Sequence, residues 1–516
     1  MSSAIKQLYD KGAIPPANWT IIIYLNGESD LLDDVKRNYN QVAKFGSELG
    51  KVNFVVLFDG IKVPEAGSDA EKGDQNLAPQ LYYVSRYENF TEAKPLEEFP
   101  EQENLAKKGS LAAIVHRIKE KFTAEKYGFI YNGHAQAGGP AVDNKQLMVK
   151  LDARLAGETE EAFGKRLERK YARNGWSVEN TCEHIDNPAI ILVILEKEYD
   201  GESLTYEMMG KELEAAGFNR KNEELGFVCL DCCWGHTFEA TICFRECTRY
   251  LIASPDEAAL FGIGYDDFAE FLLKKERTVR FDELANNLVG IYFKHNYADY
   301  LTNEVFNQMG VSLSCTDNGE YNSIDPYRRR IDDAVLWKMD KLADYLTDNM
   351  ERLWWVISWA RKKCVDYTYQ KDVDYYATYN IDFLWFLENL MHYNNLYDEY
   401  GGETDPKLHL HASRLAMELS MRFIKSNLAS NYKTLEINSR EPQLGGKGLA
   451  ITFPVTSTQF SKSIYGSGAF SGNNAWRQFL EKYVEMAKSK PEKMINDQPK
   501  DTNKWNSVKH PVVADE

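Results

Sequence analysis

Two short stretches of the sequence hold the side chains that acyl-transfer chemistry requires. One is Tyr131-Asn132-Gly133-His134-Ala135-Gln136-Ala137-Gly138-Gly139, and the other is Asp231-Cys232-Cys233. A free thiol ionises at about 8.5 and is mostly protonated at neutral pH, whereas a neighbouring imidazole lowers that value and keeps a thiolate ready. The same imidazole can then protonate a leaving amine. Glycines beside the histidine leave backbone N–H groups free to face a developing oxyanion. Each stretch also has a plainer reading. A histidine after a strand commonly serves a turn or a core, and a cysteine in an apolar run is commonly a small filler. Cys229 suits that filler role better than Cys233, which lies beyond its apolar run. A zinc site from Cys229, Cys232, His236 and Cys243 or Cys247 is a further alternative, because Cys-x-x-Cys is a ligand spacing. Against it, Cys229 sits inside the apolar run and no second Cys-x-x-Cys occurs.

Both stretches sit where strands end. Trp19 to Leu25, Val52 to Phe58, Leu81 to Val84, Tyr127 to Tyr131, Ile190 to Leu195, Phe227 to Leu230 and Tyr250 to Ala253 read as strands. Helical patterns separate several of them, through Val35, Tyr39, Val42 and Phe45, and through Leu111, Ile114, Val115, Ile118 and Phe122. Strands apolar on both faces and alternating with helices predict a mostly parallel sheet covered on both sides, an α/β fold. In such sheets chemistry collects at the carboxyl ends of the strands. Residues 143–187 interrupt this rhythm with a polar, basic insertion that offers sites for proteolytic nicking. The texture turns helical from about Asp325, and Val335, Met339, Leu342, Leu346, Met350, Leu353 and Ile357 predict one long amphipathic helix. Thr404-Asp405-Pro406 predicts a capped helix start. Gly448 to Pro454 reads as a strand returning to the sheet, followed by a helix from Trp476 to Met486.

Composition narrows the function classes. The chain has 516 residues, with 78 acidic against 61 basic side chains and a net charge of −17. That field repels phosphate backbones, so no nucleic-acid partner is expected. The strongest apolar run, Ala189 to Leu195, falls far short of the roughly 20 residues that cross a bilayer, so no membrane partner is expected either. Met1 to Gln7 carries no apolar leader pattern, and eight cysteines in this length are no disulfide scaffold. A cytoplasmic location is the expectation.

Trp19-Thr20-Ile21-Ile22-Ile23-Tyr24-Leu25-Asn26, Lys51 to Val56, Gly133-His134-Ala135, Asp231-Cys232-Cys233 with Glu239 six residues on, Tyr250 to Ser254, Asn380 to Phe383 and Gly448 to Pro454 occur in that order. The ordered set resembles the clostripain family of cysteine peptidases, whose clan includes caspases, legumains and gingipains. The resemblance implies a caspase-like α/β fold: a mostly parallel sheet flanked by helices, with an additional helical region in the C-terminal half. It divides the chain into an N-terminal tail (1–18), a catalytic domain (19–325, with the 143–187 insertion), a mainly helical region (326–440), a returning strand and helix (441–490) and a loose tail (491–516). It implies a cysteine endopeptidase cleaving after Arg or Lys. His134 is then the general acid/base and Cys233 the nucleophile, because the family's cysteine comes two residues after the aspartate. Backbone N–H groups of Ala135 and Cys233 would form the oxyanion hole. Asp231 would receive the basic P1 side chain, with Asp256 as a second candidate whose plainer role is a turn cap. No cofactor or metal is required, and the family resemblance leaves room for calcium. Partners would be protein or peptide substrates with Arg or Lys at P1 and a regulatory protein. The protease would be intracellular and regulated, with 143–187 either a self-cleavage site or an element that docks a partner or holds the site closed. Ala135 in place of the family's glycine, and Cys232-Cys233-Trp234, also suit a drifted peptidase-like binding or scaffold protein.

Overall fold

A computed structural model describes residues 2–27, 31–60, 78–100, 105–136, 139–140, 204–222, 224–256, 258–259, 261–302, 312–320, 330–364, 367, 379–397, 402–426, 446–468 and 470–489. The 143–187 insertion, the Ile190 to Leu195 strand and the 491–516 tail lie outside these residues.

The strands in chain order are β1 (Ala17–Gly27), β2 (Val52–Gly60), β3 (Gln80–Tyr83), β4 (Glu97–Glu98), β5 (Ala124–Asn132), β6 (Ala135–Gln136), β7 (Gly139–Pro140), β8 (Leu225–Asp231), β9 (Tyr250–Ala253), β10 (Ser314–Asp317), β11 (Asn380–Asp382), β12 (Phe423–Ser426) and β13 (Ala450–Thr452). The main sheet runs β12-β10-β9-β8-β5-β1-β2-β3-β4. Its centre, β9-β8-β5-β1-β2, is parallel, and both edges are antiparallel.

Alternate residues of each central strand feed opposite cores, which is why these strands read as unbroken apolar runs. Ile22, Tyr24, Phe129, Val228 and Leu230 face one core, under helices Ser110–Lys121 and Tyr206–Ala215. Ile21, Ile23, Leu25, Phe227 and Cys229 face the other, under helices Leu32–Ala43, Tyr265–Lys275 and Phe281–Thr302. A third core gathers the C-terminal helices around Phe453 and Trp476. The helix Phe238–Phe244 joins two of these cores: Ala240 and Phe244 belong to the first, Phe238 and Ile242 to the third.

Three expectations change. Residues 1–18 are not simply a tail, because helix Ser2–Asp10 buries Ile5 and Tyr9 against the first core, and Tyr9 donates to Glu97. The predicted long helix is two, Trp337–Asp348 and Met350–Lys362, broken at Asn349, whose ψ of 16° leaves the helical region. The strand within Gly448 to Pro454 does not return to the main sheet; β13 pairs antiparallel with β11 in a separate two-stranded sheet and touches Thr237 through a single bridge. Asp405 does cap helix Pro406–Ser420, accepting from Lys407 N at 2.9 Å and Leu408 N at 3.0 Å.

Candidate active site

The two reactive stretches leave adjacent parallel strands at the same end. Asn132, the last residue of β5, is the register partner of Asp231, the last residue of β8. His134 and Cys233 each follow two residues later, so both residues lie just beyond the same edge of strands about 4.8 Å apart. Asn132 fastens that edge. Its Nδ2 donates to Asp231 Oδ2 at 2.8 Å and lies 3.3 Å from the Asp231 carbonyl, while its Oδ1 accepts from Asn38 Nδ2 at 3.0 Å.

The histidine turn is held by Tyr131, whose hydroxyl donates to the His134 carbonyl at 2.8 Å. Gly133 is needed for close approach: a Cβ there would meet Tyr131 Oη at 2.8 Å and Asn26 Cβ at 3.0 Å. His134 is half-buried and Ala135 is buried, opening the β6–β7 pair opposite Pro140. The described non-glycine residues with positive φ are Tyr87, Trp234 and Tyr379, so Ala135 keeps the negative φ that its methyl demands.

The cysteine turn joins β8 to helix Phe238–Phe244, where Thr237 Oγ1 accepts from Ala240 N at 3.0 Å. Cys233 is half-buried, and its sulfur accepts the backbone N–H of Ala258 at 3.3 Å. Cys232 is buried, lies 3.8 Å from Tyr206 Oη, and burial pushes its thiol well up. A nucleophile therefore fits Cys233 better than Cys232. Trp234 has φ +51, a left-handed conformation that costs roughly 1–2 kcal/mol in a residue of this kind. Its N–H donates to the Asp256 carbonyl at 2.8 Å and its indole donates to the Tyr367 carbonyl at 3.2 Å.

Asp231 is 4% exposed. Burial lifts its carboxyl from 3.8 to about 7, opposed by hydrogen bonds from Tyr265, Asn132 and the Ile263 backbone. Asp256 is half-buried, and its N–H donates to Ser254 Oγ at 3.2 Å, so the side-chain acceptor of this turn is Ser254. His236 is fully buried, with Nδ1 against the Gly448 carbonyl and Ser314 Oγ, and Nε2 2.8 Å from Thr316 Oγ1. Desolvation lowers its pKa to about 4, so it is a neutral structural histidine. With those partners taken, His236 does not converge with Cys229 and Cys232 as a zinc ligand, and no three His, Cys, Asp or Glu among the described residues could hold a metal ion. Glu239 is buried and receives Thr452 N at 3.1 Å and Tyr465 Oη at 2.9 Å, tying the cysteine's helix to β13.

Sequence reasoning passed over Asn132, Tyr265, Ala258 and Tyr367. Asn132 lay within the histidine stretch, and its place at the strand end was its signal. Tyr265 meets Asp231 across 34 residues with no local pattern to mark it.

Residues 198–400 match the model of the clostripain family. No curated protein matches the sequence. Among solved structures, a secreted C11 cysteine protease from Bacteroides thetaiotaomicron, in complex with an irreversible peptide inhibitor, is 12% identical with a TM-score of 0.50, covering 90% of this chain and 98% of that one. An inactive zymogen C11 protease from Parabacteroides distasonis is 13% identical with a TM-score of 0.48, covering 91% and 96% respectively. The first likeness shows the fold: the mostly parallel, helix-flanked caspase-like sheet expected from the sequence. The matched residues include Cys233, whereas His134 precedes them. Among the described residues no helix is long and apolar enough to cross a membrane.

Proposed function

We propose that the protein is a cysteine endopeptidase that cleaves peptide bonds after Arg or Lys. The observation that carries this reading is the Asn132–Asp231 register pair, which sets His134 and Cys233 at equal offsets beyond adjacent strand tips. The Cys233 thiolate attacks the scissile carbonyl carbon, the C–S bond forms, and the carbonyl π electrons move to oxygen. The backbone N–H groups of Cys233 and Ala135 would receive that oxyanion. On collapse the C–N bond breaks, and His134 gives its proton to the departing amine. Water then attacks the thioester, passing a proton to His134, and the acid leaves as the C–S bond breaks. Ala258 N–H, already directed at the sulfur, favours the thiolate. Asp231 would take the P1 cation, with Asp256 the alternative. The same reading includes a cytoplasmic, regulated protease acting on protein targets, with self-cleavage in the basic 143–187 insertion.

The test is turnover of Arg and Lys peptides by the Cys233→Ala and His134→Ala variants. Both lose activity, roughly a hundredfold or more for His134→Ala, while their unfolding midpoints stay near wild type. Turnover retained by Cys233→Ala sinks the assignment. Failure of native Cys233 to react with a basic acyloxymethyl ketone favours the drifted binding protein instead.

A further inference from the structure

We propose that Asp231 selects lysine over arginine at P1, a choice that rests on the peptidase reading above and narrows its substrate. A carboxylate offers about four lone-pair sites on two oxygens. Three donors already converge on this one: Tyr265 Oη at 2.9 Å and Asn132 Nδ2 at 2.8 Å, both to Oδ2, and the backbone N–H of Ile263. About one site remains. An arginine guanidinium is a rigid fork that binds a carboxylate best through two parallel N–H bonds, whereas a lysine ammonium is a compact charge that can be served by one. At this carboxylate a guanidinium would make one bond and bury unmatched donors, which is costly.

The three donors cannot easily step aside. Asn132 is held by Asn38 Nδ2 on its Oδ1, so its NH2 end must face Asp231. Tyr265 is fully buried, and its backbone N–H donates to Gln41 Oε1 at 3.1 Å. Gly262, at φ +70, lets the following loop close over this side; a Cβ there would lie 2.9 Å from Asp231 Oδ2 and 3.0 Å from the Tyr265 ring.

The experiment compares the full chain on two fluorogenic peptides that differ only in Lys or Arg at P1. The expected kcat/KM ratio favours lysine by roughly tenfold or more. Tyr265→Phe removes one donor and returns a lone pair, so the lysine-to-arginine ratio falls severalfold, chiefly through a lower KM for the arginine peptide. Equal turnover, or arginine preferred, by the wild-type chain overturns the proposal whether or not the variant folds. An unchanged ratio in folded Tyr265→Phe overturns it too. Cleavage of neither peptide, with Cys233 unreactive to both basic acyloxymethyl ketones, overturns the peptidase reading and this one with it.

Discussion

Replacing Asp231 with asparagine sets stability against recognition. A carboxyl raised from 3.8 to about 7 on folding binds its proton more tightly in the folded chain than in the unfolded one. Between those values the folded state carries more protons, so wild-type stability falls as pH rises from about 4 to about 7 and then levels off. At 1.36 kcal/mol per pH unit the full span is roughly 4 kcal/mol. The Asp231→Asn variant would escape that penalty. Its amide would also turn one N–H toward the donors from Tyr265 and Asn132, at a cost of about 1–3 kcal/mol. The net expectation is a variant more stable than wild type by about 1–3 kcal/mol at pH 8, with no advantage at pH 4. Urea midpoints of both proteins from pH 4 to 8 measure this, and the other titrating groups cancel in the difference. Cleavage after basic residues should run the opposite way. In the wild type, kcat/KM climbs as pH rises through about 7, and in Asp231→Asn it falls roughly a hundredfold or more. A stability difference that stays flat with pH, or a wild type more stable than the variant at pH 8, would refute the reasoning.

Other expectations follow from the same contacts. His236, lowered to about 4 by burial, stays neutral while an unfolded histidine protonates near 6.5, so wild-type stability drops as pH falls from about 6.5 to about 4, by up to roughly 3 kcal/mol. His236→Gln should flatten that acid limb in unfolding experiments and leave the pH profile of turnover unmoved. Gly210→Ala would normally favour a helix by about 1 kcal/mol. Here the new Cβ would lie 2.2 Å from the Cys243 carbonyl, so the variant should instead lose about 1–3 kcal/mol in its urea midpoint.

The centre of the sheet was legible because its strands are buried on both faces: Trp19 to Leu25 and Tyr127 to Tyr131 need no partner's sequence to announce themselves. Tyr250 to Ala253 matches β9 residue for residue. The edge strands β4, β10 and β12 were harder to see: β10 is as short as β9, but Ser314-Cys315-Thr316-Asp317 lacks the apolar run of Tyr250-Leu251-Ile252-Ala253, and β4 is two glutamates. Helix Ser2–Asp10 could have been read from Ile5, Leu8 and Tyr9, which recur at helical spacing on one side. The break at Asn349 left no trace in the apolar stripe, because Leu346, Met350 and Leu353 keep steps of four and three across it. For the site, residue types and order located His134 and Cys233 but not what fastens them. Asn132, Tyr265 and Tyr367 act over long sequence separations, where only the fold supplies the neighbour.

Those long-range partners also explain why the chain carries a third core beyond the catalytic sheet. The strained turn at Trp234 persists only if its surroundings over-determine it. One line of support runs from the Trp234 indole to the Tyr367 carbonyl, and from the Tyr367 hydroxyl to Asp382 at 2.7 Å. Asp382 also receives the backbone N–H groups of Lys447 and Gly448, and the Gly448 carbonyl faces His236. A second line runs from Ala450 N to the His236 carbonyl at 3.0 Å and from Thr452 N to Glu239. Phe238 and Ile242, from the helix that follows Cys233, complete the fastening by burying themselves among the C-terminal helices. Each buried side chain of that size contributes about 1.5–3 kcal/mol, enough between them to offset the backbone strain at Trp234. The C-terminal region is therefore a structural wall of the cysteine turn, and the position of the sulfur depends on residues more than two hundred places further along the chain.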